Sequence, residues 1–542
     1  MLIQRLHPDD DAIVALRPLK CGDIVSLDGK SWTLRSDVAA KHKFAARDFA
    51  EGDLVKMYGT IAGKTLCAVA AGELLSRENV THATASPVAR ASGYRWQPPD
   101  VSRWRERTFD GYRRADGRCG TANHWLVVPM VFCENRNIEV MREALTKGLG
   151  YAVTTPYSNF VSDLATAWRA GETLDGAKLE KSAAASRVFP NVAGVKFLQH
   201  TLGCGGTRQD ARALCGLLAG YITHPNVAGA TVLSLGCQNA EVETLREEIA
   251  RRGGNAKQLL VFEQQKSSSE RDLLERALRE TFRGIAQASE LRREPLPLSE
   301  LVLGLKCGGS DGFSGISANP ALGHCSDLLA ALGGTGVLCE FPELCGAEQW
   351  LCDRCGDPAL AERFLDLMRR YNERAHAVGS GFDMNPSPGN IRDGLITDAM
   401  KSLGAARKGG SAPVLDVVDY PEPVTKRGGL TLLCTPGNDV EATTALTGSG
   451  CNVIIFTTGL GTPTGNPICP VVKMSTNTDL ATRMADIIDF DAGPIVTGEK
   501  TIATVGEELL DHIIEVGSGR ATPAAVRLGQ DDFIPWKRGV SL

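Results

Sequence analysis

Residues 301–315 read LVLGLKCGGSDGFSG, an apolar run that ends at Cys307 in a glycine-rich turn. A short apolar run followed by glycine and a helical pattern is typical of a buried parallel strand that opens into a βα turn. Similar runs precede Cys133 in VVPMVFCEN, Cys204 in HTLGCGG and Cys237 in VLSLGCQN. Because open α/β sheets bind ligands at the carboxyl ends of their strands, the four turns predict one site built from distant parts of the chain.

From about residue 106 onward, strand-like runs alternate with helical patterns. The strand candidates are WLVVPMVF, VAGVKFLQ, ATVLSLG, LVLGLK, TGVLCEF, LTLLCTPG and CNVIIFTTG. The helical patterns cover residues 136–148, 208–221, 270–286, 318–333, 439–448, 478–488 and 504–516. This alternation predicts an α/β fold with mainly parallel sheets and right-handed crossovers. The charged stretch 289–300 is a candidate boundary between two α/β domains.

The beginning of the chain has a different character. Short strand-like runs alternate with turns, and Asp28 and Gly29 between DIVSL and KSWTL are a type I′ hairpin signal. The next stretch is rich in Pro, Ser, Arg and Trp without periodicity, as in a linker laid over a surface. We therefore expect a small all-β domain at 1–85, a linker at 86–105, and α/β domains at 106–295 and 296–542.

The composition is ordinary for a globular enzyme. Of the 542 residues, 43% are hydrophobic and 23% are charged, and the net charge is −5. Nucleic-acid binding needs a basic excess or a basic stripe, so we expect no nucleic-acid partner. No apolar stretch reaches about 18 residues and the acidic start lacks a signal-peptide pattern, so we expect no membrane association. Sixteen cysteines without a secretion signal then predict a cytoplasmic protein.

The segment 200–210, HTLGCGGTRQD, is the richest in chemical groups. Backbone N–H groups of a glycine-rich turn at a helix start favour a bound anion. In this segment His200 is a candidate base or metal ligand, Cys204 a candidate ligand, and Arg208 a candidate carboxylate clamp. The alternative is a tight turn with a buried cysteine and a surface arginine.

The turn after the opening strand places polar groups among glycines at a second strand end. So many glycines cost conformational entropy, which favours a functional role over a mere connection. Ser310 and Asp311 suit substrate hydroxyls or a hard cation, and Lys306 suits a carboxylate. Three further turns carry the hydroxyls and amides that bind a polyol. Their candidate residues are Asn385, Asn390, Asn438, Asp439 and Thr462.

Cys345, Cys352 and Cys355 suggest a structural zinc site through the CxxC of LCDRC. A second CxxC or a histidine at zinc-finger spacing is missing, so this signal is weak. Classical serine-nucleophile motifs, P-loops and HExxH motifs are absent as well, and no GxGxxG is followed by an acidic residue at the dinucleotide-binding spacing.

Several long motifs, in order along nearly the whole chain, resemble the altronate/galactarate dehydratase family. They are AAKHKFAARDFAEGDLVKMYG (39–59), GYRRADGRCGTAN (111–123), HTLGCGG (200–206), LSLGCQN (233–239), CGGSDGFSGISANPALG (307–323), NPSPGN (385–390), TPGNDVEATTAL (435–446) and FTTGLGTPTGNP (456–467). The PGND motif and the terminal FIPWKRGVSL are most similar to the altronate branch. By this resemblance the first domain is a SAF-like β-clip domain, followed by a Rossmann-like and a C-terminal α/β domain.

The resemblance implies a hydro-lyase that acts on a sugar acid and is stimulated by Fe²⁺ or Mn²⁺. For D-altronate, loss of water between C2 and C3 would give 2-keto-3-deoxy-D-gluconate. A cation would hold the carboxylate, a base would remove the C2 proton, and an acid would protonate the leaving hydroxyl. The implied roles are acid or base for His200, Lys306 and Asp311; metal ligand for Cys204, Cys237, Cys307 and Cys133; and contact with substrate hydroxyls for Asn319.

The chain departs from the family pattern at three places. Many relatives carry a histidine-rich stretch after AAGE, where this chain has Leu74, Ser76 and Glu78. The turn after NPSPGN reads IRDG (391–394) instead of a segment with lysine and two glycines, and Ala122 replaces an arginine. These differences leave galactarate or another aldonate or aldarate open as the substrate.

Three alternatives stay open at this point. In the first, three of the four glycine-flanked cysteines hold an iron–sulfur cluster with an open iron. In the second, the protein is not an enzyme and binds sugar acids through the β-clip domain, although no helix-turn-helix of a regulator is evident. A homo-oligomer is open as well.

Overall fold

The computed structural model describes residues 2–90, 93–152, 156–179, 186–254 and 256–539. The first part is an all-β domain of short strands and turns. The predicted hairpin turn is present, with Asp28 and Gly29 both at positive φ. The strands are β1 (Ile3–Gln4), β2 (Ala12–Ala15), β3 (Ile24–Leu27), β4 (Lys30–Thr33), β5 (Lys43–Ala45), β6 (Leu54–Met57), β7 (Thr60–Thr65), β8 (Leu74–Leu75) and β9 (Val80–Thr81).

The first domain packs directly against the C-terminal domain. Its strands pair in the orders β1-β2-β5-β8, β3-β4 and β6-β7-β9. Ile13, Trp32 and Phe44 fill a core of its own. Val14 and Val55, in contrast, belong to the same apolar core as the C-terminal domain. Burial of apolar surface therefore holds the two domains together, independently of the connecting segment.

A small antiparallel sheet joins the second and C-terminal domains. In it, β10 (Thr108–Arg113) pairs with β11 (Cys119–Gly120) and with β16 (Glu294–Pro297). Phe109 and Leu296 belong to the core of the C-terminal domain. The charged stretch 289–300 therefore contains a strand that ties the two α/β domains together, which its charge pattern did not indicate.

The second domain is built on parallel strands in the order β13-β12-β14-β15, here called the small sheet. Helices cover its faces, as parallel sheets require. Its elements are β12 (His124–Pro129), α1 (Asn135–Leu149), α2 (Pro156–Ala170), β13 (Gly194–Phe197), α3 (Arg208–Thr223), β14 (Val227–Ser234), α4 (Val242–Arg251), β15 (Gln258–Glu263) and α5 (Glu270–Ala288).

The C-terminal domain is built on the large sheet, parallel in the order β19-β20-β18-β17-β21-β22-β23. Its strands are β17 (Val302–Cys307), β18 (Thr335–Leu338), β19 (Val414–Val418), β20 (Gly429–Leu433), β21 (Val453–Thr458), β22 (Val471–Ser475) and β23 (Phe490–Asp491). Its helices are α6 (Ala318–Ala331), α7 (Glu348–Cys352), α8 (Pro358–Ala377), α9 (Pro388–Arg392), α10 (Asp398–Ala406), α11 (Asp439–Gly448), α12 (Thr478–Arg483), α13 (Gly493–Thr497), α14 (Ile502–Gly517) and α15 (Ala524–Arg527).

The predicted fold class is confirmed: an all-β domain precedes α/β domains with parallel sheets. Each strand candidate named above overlaps an observed strand. The sequence pattern missed β10, β11, β16 and β23, and also β15, β19 and β22. Polar residues interrupt the last two, Asp416 in β19 and Lys473 in β22, and β15 is only half-buried.

Candidate active site

Charged side chains meet at the carboxyl edge of the large sheet, where its strand order reverses. β17 ends at Lys306 and Cys307, Glu340 follows β18, and Asp439 begins α11 after β20. The crevice at such a switch point is where open α/β sheets bind ligands. The charge cluster, as we call it, consists of Lys306, Cys307, Glu340, Glu343, Lys401, Lys408 and Asp439.

Lys306 lies at the centre of the charge cluster and is fully buried. Its Nζ donates to Glu340 Oε1, to Asp439 Oδ1 at 2.7 Å and to the Cys307 carbonyl at 2.5 Å. Burial alone would lower the pKa of Lys306, but Glu340 and Asp439 outweigh it and hold that pKa well above its usual range. Lys306 therefore carries a fixed positive charge.

Cys307 lies beside Lys408, which the short 3-10 turn Arg407–Gly409 brings into the cluster. Lys408 Nζ lies 2.7 Å from Cys307 Sγ and 3.3 Å from Glu340 Oε2. Burial raises the pKa of the Cys307 thiol to about 11, although Lys408 opposes the shift. The thiol therefore keeps its proton at neutral pH unless a stronger positive charge reaches the sulfur.

Lys401, on α10, forms the other half of the charge cluster together with Glu343. Its Nζ donates to Glu343 Oε1 and to Asn385 Oδ1, both at 2.8 Å, and lies 3.4 Å from Asn390 Oδ1. Both asparagines belong to the NPSPGN turn, so that turn is part of the site. Burial would raise the pKa of Glu343, but nearby lysines, Lys401 first, outweigh it and lower the pKa to about 2.

The two buried glutamates lie in opposite electrostatic environments. Burial raises the pKa of Glu340 above its usual value, and Lys306 offsets this rise only in part. Glu343 in contrast is held ionised. Carboxyl groups whose pKa values are pushed apart in this way are typical of an acid–base pair.

The backbone around the charge cluster is constrained. Glu340 adopts a left-handed conformation with φ of 69°, which is uncommon for a residue other than glycine. Its N–H donates to Thr435 Oγ1 at 2.9 Å, which helps to hold it there. A Cβ at Gly308 would lie 2.4 Å from Asp439 Oδ1, so only glycine allows this close approach. Strained residues that the surroundings hold in place cluster at functional sites.

The charge cluster also contains a donor set for a divalent cation. Cys307 Sγ and one oxygen each of Glu340 and Glu343 lie within 4.8 Å of one another. Thiolates suit soft metals and carboxylates suit harder ones, so this mixed set fits Fe²⁺ or Mn²⁺. Lys408 Nζ lies against two of the same donors. An ion fits there once Cys307 loses its proton and Lys408 moves aside.

Asp311 lies in the turn after β17 but serves the contact between domains. Lys41 of the first domain places its Nζ 2.9 Å from Asp311 Oδ2, and Thr476 Oγ1 donates to the same oxygen. Oδ1 accepts from the Phe313 N–H and the Ser314 hydroxyl. Both carboxylate oxygens are therefore engaged within the protein, and the catalytic role of Asp311 stays a prediction.

His200 is buried in the second domain with both ring nitrogens bonded to the backbone. Nε2 donates to the Pro129 carbonyl at 2.8 Å, and Nδ1 accepts from the Leu202 N–H at 3.2 Å. Burial lowers the pKa of His200 to about 4. The imidazole is held neutral and both of its nitrogens are engaged, and the acid–base or ligand role of His200 stays a prediction.

The four glycine-flanked cysteines are divided between the two sheets. Cys307 is buried in the C-terminal domain, whereas Cys133, Cys204 and Cys237 are exposed near the carboxyl edge of the small sheet. Their turns are joined by hydrogen bonds, for example from Asn239 Nδ2 to the Cys204 carbonyl at 2.8 Å. Within the described residues, none of the three exposed cysteines belongs to a close group of potential ligand atoms. The single site predicted from the four turns is therefore not formed.

Two of the predicted substrate contacts are occupied within the protein. Asn319 is buried, donates to the Gly404 carbonyl at 3.0 Å and accepts from Thr457 Oγ1 at 2.7 Å. Asn438 Oδ1 caps α11 by accepting the Val440 N–H and the next N–H along the helix. Asn319 is therefore held within the protein and Asn438 Oδ1 is engaged as a helix cap, and their contacts with a substrate stay predictions.

The other predicted substrate residues lie at varying distances from the cluster. Asn385, Asn390 and Asp439 contact it directly, as described above. The Ser310 carbonyl accepts from Asn390 Nδ2 at 2.7 Å, so Ser310 borders it. Thr462 lies against Gly309, while Arg208 is exposed at the start of α3 in the second domain. Their roles toward a substrate stay predictions.

Sequence reasoning missed four members of the charge cluster. Glu340 lies at the end of the strand candidate TGVLCEF and Glu343 follows it, so the same strand-end argument applied to them. Lys401 and Lys408 lie in a region where no helix was predicted, and nothing in its sequence marks them. Only the packing of α10 against the sheet edge brings both lysines to the carboxylates.

Comparison with known proteins covers almost the entire chain. The family model described as "Altronate/galactarate dehydratase SAF domain" matches residues 1–83. The model "D-galactarate dehydratase/Altronate hydrolase, second domain" matches residues 111–289, and "D-galactarate/Altronate dehydratase, C-terminal" matches residues 298–541. Among the described residues, no helix is long and apolar enough to cross a membrane.

Curated relatives agree with these matches. The altronate dehydratase of Escherichia coli (strain K12) is 36% identical over 521 residues, 96% of this chain and 95% of the relative. That of Bacillus subtilis (strain 168) is 35% identical over 519 residues, 95% of each chain. The galactarate dehydratase (L-threo-forming) of Escherichia coli (strain K12) is 31% identical over 484 residues, 88% of this chain and 86% of the relative. The chain therefore belongs to the D-galactarate/altronate dehydratase family and is a hydro-lyase.

Proposed function

We propose that the protein dehydrates D-altronate to 2-keto-3-deoxy-D-gluconate and uses Fe²⁺ or Mn²⁺ in the reaction. The observation that carries this proposal is the charge cluster: buried lysines, an unequal pair of glutamates and a mixed donor set at the sheet edge. The relatives named altronate dehydratase support the choice of substrate. Galactarate or another aldonate or aldarate is the runner-up substrate.

The charge cluster suits an anionic polyol. Lys306, Lys401 and Lys408 present fixed positive charge to a carboxylate, and the amides of Asn385 and Asn390 suit hydroxyls. Asp439 is 31% exposed in its side chain, which marks the side from which a substrate reaches the buried lysines.

The chemistry requires stabilisation of negative charge and two proton transfers. A proton next to a carboxylate is a weak acid, and its removal leaves an enediolate. Lys306 and Lys408 lie where water is excluded, so their charges stabilise that intermediate more strongly than they would in water. A divalent ion held by Cys307, Glu340 and Glu343 would polarise the substrate carboxylate. The raised pKa of Glu340 applies without the ion, so Glu340 would transfer a proton only when it is not a ligand of that ion, while Glu343 stays ionised.

Turnover of a defined substrate panel tests the proposal. Purified protein is incubated without oxygen with Fe²⁺ or Mn²⁺ and with aldonates and aldarates, and the 2-keto-3-deoxy acid is measured by NMR. We expect the highest rate with D-altronate. Product from galactarate alone would correct the substrate, and no product from any acid would reject the function.

An iron–sulfur cluster in place of a single ion is the second candidate. It is favoured by the exposed Cys133, Cys204 and Cys237 on neighbouring turns, since three thiolates can leave one iron of a cluster open. Brown protein that loses its colour and its activity together in air would support the cluster. Colourless active protein would reject it.

A further inference from the structure

We infer that the protein has a second metal site, formed by His82, Cys345 and Asp398 between the first and C-terminal domains, for a divalent ion of the zinc class. The site lies outside the charge cluster. The inference does not depend on the proposed substrate or on the ion proposed for the reaction.

The donors of this site already lie together. One nitrogen of His82, Cys345 Sγ and one carboxylate oxygen of Asp398 are within 4.8 Å of one another. His82 Nδ1 is hydrogen-bonded to Asp398 Oδ1. Asp398 is buried and Cys345 half-buried, while the His82 side chain is 36% exposed, which leaves a path for an ion from solvent. Glu348 lies in the same region, where its Oε2 accepts from the Gly346 N–H at 2.6 Å.

The donor types favour a borderline metal. Imidazole nitrogen, thiolate sulfur and carboxylate oxygen are the ligands that Zn²⁺ takes in proteins, usually four in a tetrahedron. A water molecule or Glu348 would complete such a set. Binding requires a Cys345 thiolate and a His82 nitrogen without a proton, so each ion bound releases protons and affinity rises with pH.

The two cysteines of the CxxC pattern are not part of this site. Cys352 and Cys355 are buried, and Cys355 Sγ donates to the Leu351 carbonyl at 3.6 Å, as in a packed core. Cys345, outside that CxxC, finds its partners in His82 and Asp398, 263 and 53 positions away. Only the docking of the first domain on the C-terminal domain brings these donors together.

An ion at this position would stabilise the charge cluster from outside. Cys345 directly follows the 3-10 turn Phe341–Leu344, which carries Glu343. Asp398 starts α10 and lies one turn before Lys401. The same two elements thus carry the Lys401–Glu343 pair and two of the three ligands. We therefore assign the site a positioning role, in which the ion ties both elements to the first domain through His82.

Cobalt titration of the full-length protein tests the site. Co²⁺ substitutes for Zn²⁺, and a thiolate ligand gives an intense sulfur-to-cobalt band in the near ultraviolet. Because Cys307 is itself a proposed thiolate ligand, the titration is made in a Cys307→Ser background, which lacks the thiol of the charge cluster. We expect the band in Cys307→Ser and in Cys307→Ser/Cys67→Ser, a control at an exposed cysteine, and its loss in Cys307→Ser/Cys345→Ser. A band that survives in Cys307→Ser/Cys345→Ser, or that is already missing in Cys307→Ser, would overturn the inference.

Two further measurements test the site without measuring enzyme activity: the affinity for cobalt and the effect of zinc on the melting temperature. His82→Asn should weaken cobalt binding at least tenfold, since even indirect partners of a metal contribute about that much. Zinc should raise the melting temperature of Cys307→Ser, which lacks the thiol of the charge cluster, while Cys307→Ser/Cys345→Ser should show no rise with zinc. An equal zinc effect on both proteins would overturn the site.

Discussion

The carboxyl edges of the two parallel sheets carry the same sequence pattern and have different environments. At the large sheet, Cys307 lies among buried lysines and carboxylates. At the small sheet, Cys133, Cys204 and Cys237 face solvent, and the one histidine nearby is satisfied by backbone groups. An apolar run followed by a glycine-flanked cysteine therefore marks a strand end reliably, but it does not mark the chemistry at that end.

The two edges differ in the segments of the protein that cover them. The large sheet is covered by the 3-10 turn with Glu343 and by α10 with Lys401, and the first domain packs over both. This cover excludes water, so each charge must find a partner of opposite sign. The small-sheet edge lacks such a cover over its cysteines, and the paired charges of the charge cluster have no counterpart there in the described part of the chain.

The largest effect is expected from Glu343→Gln. Removing a carboxylate that takes part in proton transfer or metal binding should lower kcat by about 10²–10⁴-fold. The matched control is Glu263→Gln, at the end of β15 in the small sheet, which should stay within about twofold of wild type. Both are measured as turnover of D-altronate. If kcat of Glu343→Gln is within tenfold of wild type, the charge cluster is not where the reaction takes place.

Lys306→Met tests the energetics of the same edge. It leaves Glu340 and Asp439 without their shared cation, and breaking a buried ion pair costs about 3–5 kcal/mol. Lys266→Met, at the small-sheet edge and 77% exposed, should change stability by less than about 0.5 kcal/mol. Urea unfolding of both variants measures the difference. Equal stability losses would contradict the contrast between the edges.

The two edges should respond to acid in different pH ranges. The pKa of His200 is lowered to about 4 from 6.5, so the unfolded chain binds its proton more tightly and stability falls as pH drops through that window. The full effect is about 3 kcal/mol at 1.4 kcal/mol per pH unit. Glu343, with a pKa of about 2, contributes above its ordinary value of 4.5 and loses that contribution only as pH falls toward 2.

Unfolding between pH 6.5 and 4.5 therefore reports on buried histidines rather than on Glu343: His200, His124 and His224 of the second domain and His512 of the C-terminal domain all have lowered pKa values. We expect His200→Gln to reduce the decline there, while Glu343→Gln changes the profile only at lower pH. A decline in the upper range that is as steep in His200→Gln as in the wild type would show that this histidine does not contribute.

Metal affinity at the charge cluster should rise with pH. Burial raises the pKa of Cys307 to about 11, so an ion must displace a proton from the sulfur. Below that pKa, affinity should increase about tenfold per pH unit. Mn²⁺ binding followed by electron paramagnetic resonance measures this slope. Cys307→Ser should abolish it, and an unchanged slope in that variant would place the ion elsewhere.

The smallest effect is expected at the small sheet. Cys204→Ser replaces an exposed side chain and should change stability by less than about 0.5 kcal/mol. Activity with added Fe²⁺ should stay near wild type. If the wild type is brown and Cys204→Ser loses both the colour and the activity, the iron–sulfur alternative is supported. The contrast between the two edges would then be wrong.

Part of the site could be predicted from the sequence. Lys306, Cys307 and Asp439 are adjacent to strand candidates, and Asn385 and Asn390 lie in a rigid polar turn, so local pattern was enough to select them. His200 and Asp311 were selected by the same reasoning, and the structure shows their polar atoms already bonded within the protein. A histidine or an aspartate after a strand looks alike in sequence whether its polar atoms are free or already bonded.

The sequence by itself determined the α/β architecture, the all-β first domain and the strand ends at which polar residues collect. These features follow from the periodicity of apolar residues and from glycine, which act over a few neighbours. Only the tertiary structure decided which strand end became a charge cluster and which groups its atoms contact. Lys401, Lys408 and the His82–Asp398 contact depend on segments that are 58 to 316 residues apart, and burial of the carboxylates requires a partner for each once they meet.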